Sequence, residues 1–162
     1  VLRLNIGGAT NPMPGYRVID RQNGQEAYPL NFSSDTVDEV RASHILEHFS
    51  HRQTLDVLRD WVRVLKPGGL LKIAVPNFDW IVEKYRSDEA GRLPLEAFLM
   101  GSQIAMDDGT HKAIFNSRKL HALMELAGLV NIEYWLGDVE DCSGLAVSLN
   151  LQGRKPLEGR NG

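Results

Sequence analysis

Apolar residues along this chain fall in short alternating runs separated by longer stretches with helical spacing. The opening Leu2-Arg3-Leu4-Asn5-Ile6 alternates and breaks at Gly7-Gly8-Ala9, and Tyr16-Arg17-Val18-Ile19-Asp20 forms a second short run. Both predict buried strands. The polar Arg21-Gln22-Asn23-Gly24-Gln25 predicts a turn, a short extended piece is expected around Ala27 to Phe32, and Val37 to Ala42 reads as a further strand. From His51 to Leu65, apolar residues recur at Leu55, Leu58, Val62 and Leu65 with Trp61 alongside, the spacing of a helix with one buried face. Lys66-Pro67-Gly68-Gly69 stops that helix, because proline cannot continue it and glycine lets the chain reverse.

Leu70 to Val75 is almost continuously apolar, as a parallel strand covered on both faces should be. Asn77 or Asp79 is placed to cap a helix carrying Trp80, Ile81, Val82 and Tyr85, and a second short helix is expected from Pro94 to Met100. Ser117 is expected to cap a helix with Leu120, Leu123, Met124 and Ala127, closed by Gly128. Leu129 to Leu136 and Leu145 to Leu151 read as two last strands, joined without a helix and therefore antiparallel. This alternation implies an α/β fold: a doubly wound, mostly parallel Rossmann-like sheet with an antiparallel last strand. Residues 1–153 are expected to form one domain and 154–162 a flexible tail.

Composition narrows the classes. A chain of 162 residues with 43% apolar and 24% charged residues suits one globular domain. The net charge of −3 argues against nucleic-acid and anionic-membrane partners, which select basic surfaces. No stretch is apolar over the length a bilayer requires. The single cysteine, Cys142, has no partner within the chain and is expected to be a buried or incidental thiol, which points to a cytoplasmic setting.

Two groups of residues carry candidate chemistry. Glycines ending a first strand let backbone approach a ligand, and an acid ending the second is placed to accept the hydroxyls of a bound ribose. His44-Ile45-Leu46-Glu47-His48 spells His-x-x-Glu-His, which on a helix would put paired histidines on one face as metal ligands. Here, however, His44 directly follows a strand, so no metal ligand is assigned. Glu47 and His48 are read instead as bracing the next helix. Trp61, Trp80 and Trp135 are expected in the core or a cleft wall.

In order, these landmarks resemble the class I S-adenosylmethionine-dependent methyltransferases, in particular a small branch opening Leu-Asn-Leu-Gly-Cys-Gly. Leu4-Asn5-Ile6-Gly7-Gly8-Ala9 matches that opening, with Ala9 in place of its second glycine. Glu26 to Asp38 aligns without a gap with the branch's Asp-Ala-x-x-Leu-Pro-Phe-Pro-Asp-x-Ser-Phe-Asp. Ala42 to Phe49 resembles the exit of the family's fourth strand, Arg63 to Gly69 its next helix-to-strand turn, and Val75 to Phe78 the end of its fifth strand. His111 to Phe115 and Leu120 to Gly128 look like its last helix and the approach to it.

The resemblance implies S-adenosylmethionine as cofactor, bound by Gly7, Gly8, Ala9, Asp20, Glu26, Ser43 and His44. His44, Asn77 and His111 are placed to orient or deprotonate an acceptor. A small molecule or saccharide is the expected acceptor, homo-oligomerisation is compatible with the pattern, and the alternative is a catalytically degenerate binding or assembly module. Only five residues separate Asp20 from Glu26. The family's third strand and its preceding helix are therefore expected to be shortened or lost.

Overall fold

In the computed structural model, described here for residues 1–8, 13–87, 91, 93–103, 109–137 and 141–157, six strands form one sheet. They are β1 (Arg3–Ile6), β2 (Arg17–Ile19), β3 (Val37–Ser43), β4 (Leu65–Pro76), β5 (Val130–Tyr134) and β6 (Ser148–Arg154), in the order β2-β1-β3-β4-β6-β5. The first four run parallel, while β6 pairs antiparallel with both β4 and β5. The mostly parallel sheet with antiparallel final strands is the arrangement the sequence implies.

Register sorts the side chains. Leu4, Val40, Leu71 and Gly153 lie in one row across the sheet and Ile6, Ala42, Ile73 and Leu151 in the next. These rows share a core with Val57, Leu58 and Trp61 of α1 (Thr54–Val64) and with Leu120 and Met124 of α4 (Ser117–Leu126). Neighbouring rows on the opposite face are polar, Asn5-Arg41-Lys72-Gln152 among them. There Arg41 is buried, and Trp135 lies beside it with the Arg41 guanidinium 5.3 Å and the Lys72 ammonium 5.4 Å from its ring.

Helix α1 ends where expected. Leu65 is already extended, and Pro67 disfavours a helical residue before it. Strand β4 then starts at once, with a register shift between Val37 and Glu39 of β3 where Gly68 takes φ +78°. The interval from Asp20 to Val37 contains a 3-10 turn, Arg21–Asn23, and no strand, so β2 is the sheet edge, as the short spacing implies.

Two local expectations, the cap of α4 and the start of the tail, are corrected, and two others are sharpened. Residues 27–32 form no strand, because side chains of α1 hold them: Asp60 accepts from Leu30 N, Arg63 donates to the carbonyls of Leu30 and Phe32, and Trp61 donates to that of Ala27. Asn116 rather than Ser117 caps α4, accepting from Lys119 N at 3.0 Å. Cys142 is exposed, on a 3-10 turn. Arg154 and Lys155, assigned to the tail, are held in the fold. Arg154 closes β6 against Leu70, and the Lys155 ammonium donates to Asp35 and to the carbonyls of Arg63 and Leu65.

Helices α2 (Phe78–Arg86) and α3 (Leu95–Met100) pack on each other beyond the end of β4, in a second apolar cluster built on Ile81, Leu95 and Val147. No helix among the described residues is long and apolar enough to cross a membrane.

Candidate functional site

Parallel strands share one carboxyl edge, and ligands of open α/β sheets gather there. Gly7, Asp20, Ser43 and Asn77 follow or end β1, β2, β3 and β4 on that edge. Ala9 lies outside the described residues.

Gly7 sits at φ +74°, a backbone region that favours glycine, and its N–H donates to Ile19 O at 2.8 Å. A Cβ at Gly7 would collide with the Ile45 side chain, and one at Gly8 with that of Asn5. Packing within the chain thus already demands both glycines. Gly7→Ala should lower stability by about 1–3 kcal/mol, from backbone strain plus the displaced Ile45, and urea unfolding would measure it.

Asp20 ends β2 and caps the 3-10 turn, accepting from Gln22 N at 2.9 Å. Glu26 is exposed and pairs with Arg21 at 3.0 Å. Ser43 Oγ is buried with no hydrogen-bond partner. Asn77 acts as the N-cap of α2, accepting from Asp79 N. Of the tryptophans, Trp61 and Trp135 are buried and Trp80 packs edge-on against Phe98.

The residues the fold draws together most tightly are four that follow β3 or approach it from a distant loop. His44 sits at φ +54°, a conformation costing about 1 kcal/mol or more. It is held there by its N–H to Ala74 O and by Nε2 against Ser148 Oγ at 3.0 Å. Its Nδ1 lies 3.5 Å from Glu47 Oε1. Glu47 stands in a 3-10 turn, Leu46–His48, so His44 and His48 do not share an α-helical face. The backbone N–H groups of Lys112 and Ala113 both donate to Glu47 O, which draws His111 to the turn. His111 Nε2 is 3.9 Å from Glu47 Oε1, and the rings of His48 and His111 meet edge to face at 4.9 Å.

Burial dominates the electrostatics of this cluster. The Glu47 carboxyl is fully buried, neither oxygen has a hydrogen bond, and burial pushes its pKa up to about 8. Burial, then the neighbouring His111, pulls His44 down to about 4, and His111 is lowered by burial and by His48. The imidazoles of His44 and His111 are therefore neutral at pH 7. Read as bracing residues in the sequence, Glu47 and His48 instead stand at the centre of the cluster. Their partner His111 is more than sixty residues away, and the His-x-x-Glu-His spacing gave the one visible signal.

A family model described as "Methyltransferase domain" matches residues 15–73, beginning after the glycine loop. No curated protein matches the chain. Among solved structures, a SAM-dependent methyltransferase from Methanosarcina mazei superposes with a TM-score of 0.62 at 14% identity, over 96% of this chain and 92% of that one. One from Thermotoga maritima, described as a possible histamine N-methyltransferase, gives 0.57 at 14% identity over 95% and 82%. A possible exported protein from Bordetella parapertussis gives 0.61 at 12% identity over 96% of this chain, which spans 62% of that protein's length. These identities speak for the fold. The chain thus shares the fold of SAM-dependent methyltransferases, and residues 15–73 of it match the methyltransferase-domain model.

Proposed function

We propose that this protein transfers a methyl group from S-adenosylmethionine to a small-molecule or saccharide acceptor. The observation that carries the reading is the convergence of Gly7, Asp20, Ser43 and His44 on the carboxyl edge of adjacent parallel strands. The donor set fits the cofactor: a carboxylate ending β2, a glycine backbone ending β1, and at the end of β3 a buried hydroxyl that lacks a partner.

When bound, S-adenosylmethionine supplies an already electrophilic methyl group, so the protein's task is alignment and exclusion of water. We assign Asp20 to the ribose hydroxyls and the Gly7 backbone and Ser43 Oγ to the amino-acid end. Glu26, paired with Arg21 across an exposed surface, is assigned to the adenine amino group. His44 is assigned to the acceptor. Ser148 Oγ donates to Asn150 Oδ1, so it takes the His44 Nε2–H, while Nδ1 turns to Glu47; His44 therefore serves by fixing the end of β3 beside the acceptor. Asn77 contributes by fixing the start of α2, and His111 by orienting Glu47 and His48.

Calorimetric titration with S-adenosylmethionine and S-adenosylhomocysteine tests the reading. We expect micromolar binding, roughly −8 kcal/mol, and a loss of about 1–3 kcal/mol in Asp20→Ala as charge-assisted ribose bonds disappear. Folded protein that binds neither compound would sink the proposal and favour a non-enzymatic binding module.

A further inference from the structure

Glu47 is surrounded in a way that a carboxylate does not tolerate alone. A carbonyl oxygen can only accept, so His111 Nδ1, 3.0 Å from Phe98 O, carries the proton and Nε2 presents a lone pair. By the same rule His48 Nδ1–H donates to Thr110 O at 3.1 Å. His44 gives Nε2–H to Ser148 and turns Nδ1 toward Glu47. Two imidazole nitrogens in acceptor state therefore face Oε1 of a buried carboxylate whose oxygens receive no donor. Either a proton on Glu47 or a metal cation in its place resolves the conflict.

We propose that Glu47, His48 and His111 form a binding site for a divalent transition-metal ion of the zinc class. One ligand atom from each lies within 4.8 Å of the others. A contraction of roughly an ångström brings them to the spacing of ligands about 2.1 Å from a common ion. The outer contacts match what metal-binding histidines require, since a backbone carbonyl fixes the ring orientation and tautomer of both. Two nitrogens and one carboxylate oxygen suit zinc, cobalt or nickel better than magnesium or calcium. Three protein ligands leave a coordination position open for solvent. This ligand set differs from the one His-x-x-Glu-His spacing suggests, because His111 from the distant loop joins it. The site stands independently of the methyl-transfer reading.

The test uses the full chain, stripped with chelator and free of any purification tag, titrated with Co²⁺ by visible absorption and with Zn²⁺ by calorimetry. We expect one equivalent bound with a micromolar or lower dissociation constant and ligand-field bands of a low-symmetry site. Affinity should fall at least tenfold in Glu47→Gln and in His111→Ala, each first shown to fold by circular dichroism. His121→Ala, on the exposed face of α4, should bind as the parent does. Absence of saturable binding, binding unchanged in Glu47→Gln and His111→Ala, or binding lost in His121→Ala would each overturn the proposal. If Glu47→Gln does not fold, His111→Ala decides.

Discussion

Asp141→Ala should destabilise the protein by about 3–5 kcal/mol, the cost of stranding a buried charge. Arg41 is 1% exposed and donates from Nη1 to Asp141 Oδ2 at 2.6 Å and from Nη2 to Ser143 Oγ at 3.1 Å. Without Asp141 its guanidinium keeps the burial and loses the counter-charge. The double variant Arg41→Met/Asp141→Leu should recover most of the loss, because it removes both charges at once. Equilibrium unfolding in urea measures all three, and a loss below 1 kcal/mol in the single variant would show that solvent already compensates Arg41.

The pair also sets a pH dependence. Burial pushes the Asp141 carboxyl up, but hydrogen bonds from Arg41 and Ser143 outweigh it and hold the group below its ordinary value. A carboxylate with a depressed folded pKa contributes its full stabilisation above the unfolded value, near 4, and loses it as the pH falls through the folded value. The stability gap between parent and Asp141→Ala should therefore be constant from neutral pH down to about pH 4 and close below it.

Trp61→Ala is the second large effect, also about 3–5 kcal/mol. The ring is fully buried among α1, Phe49 and the sheet, and its Nε1 donates to Ala27 O at 2.8 Å. The variant leaves a cavity and removes an anchor of residues 27–32. Trp61→Phe retains most of the packing and should cost about 1–3 kcal/mol, mainly the orphaned carbonyl. Faster amide exchange at Leu30 and Phe32 in both variants would show that the anchor matters beyond the cavity.

What the sequence discloses about this fold is what local chemistry decides. Lys66-Pro67 ends α1, Gly128 at φ +95° closes α4, and five residues between Asp20 and Glu26 leave no room for a strand. What it hides depends on distant partners. Residues 27–32 have the composition of an extended segment, yet Asp60, Trp61 and Arg63 capture their backbone groups before a neighbouring strand can. Asn116 and Ser117 are both good capping residues, and only the path of the chain chooses between them. Glu47 and His111 meet through two backbone bonds to one carbonyl, a contact with no residue signature. The glycine loop was legible as a motif, but its neighbours Ile45 and Asn5 were not.

The Lys155 ammonium satisfies the carbonyls of Arg63 and Leu65 at the end of α1, and β6 completes the outer edge of β4. Both repairs come from the last part of the described chain. During synthesis, the edge of this central strand stays open until β6 itself has left the ribosome. Until then β4 presents a bare apolar edge, the kind of intermediate on which chaperones act and which tends to aggregate. Shortening the chain before Lys155 should therefore reduce the yield of soluble protein more sharply than it reduces the stability of molecules already folded.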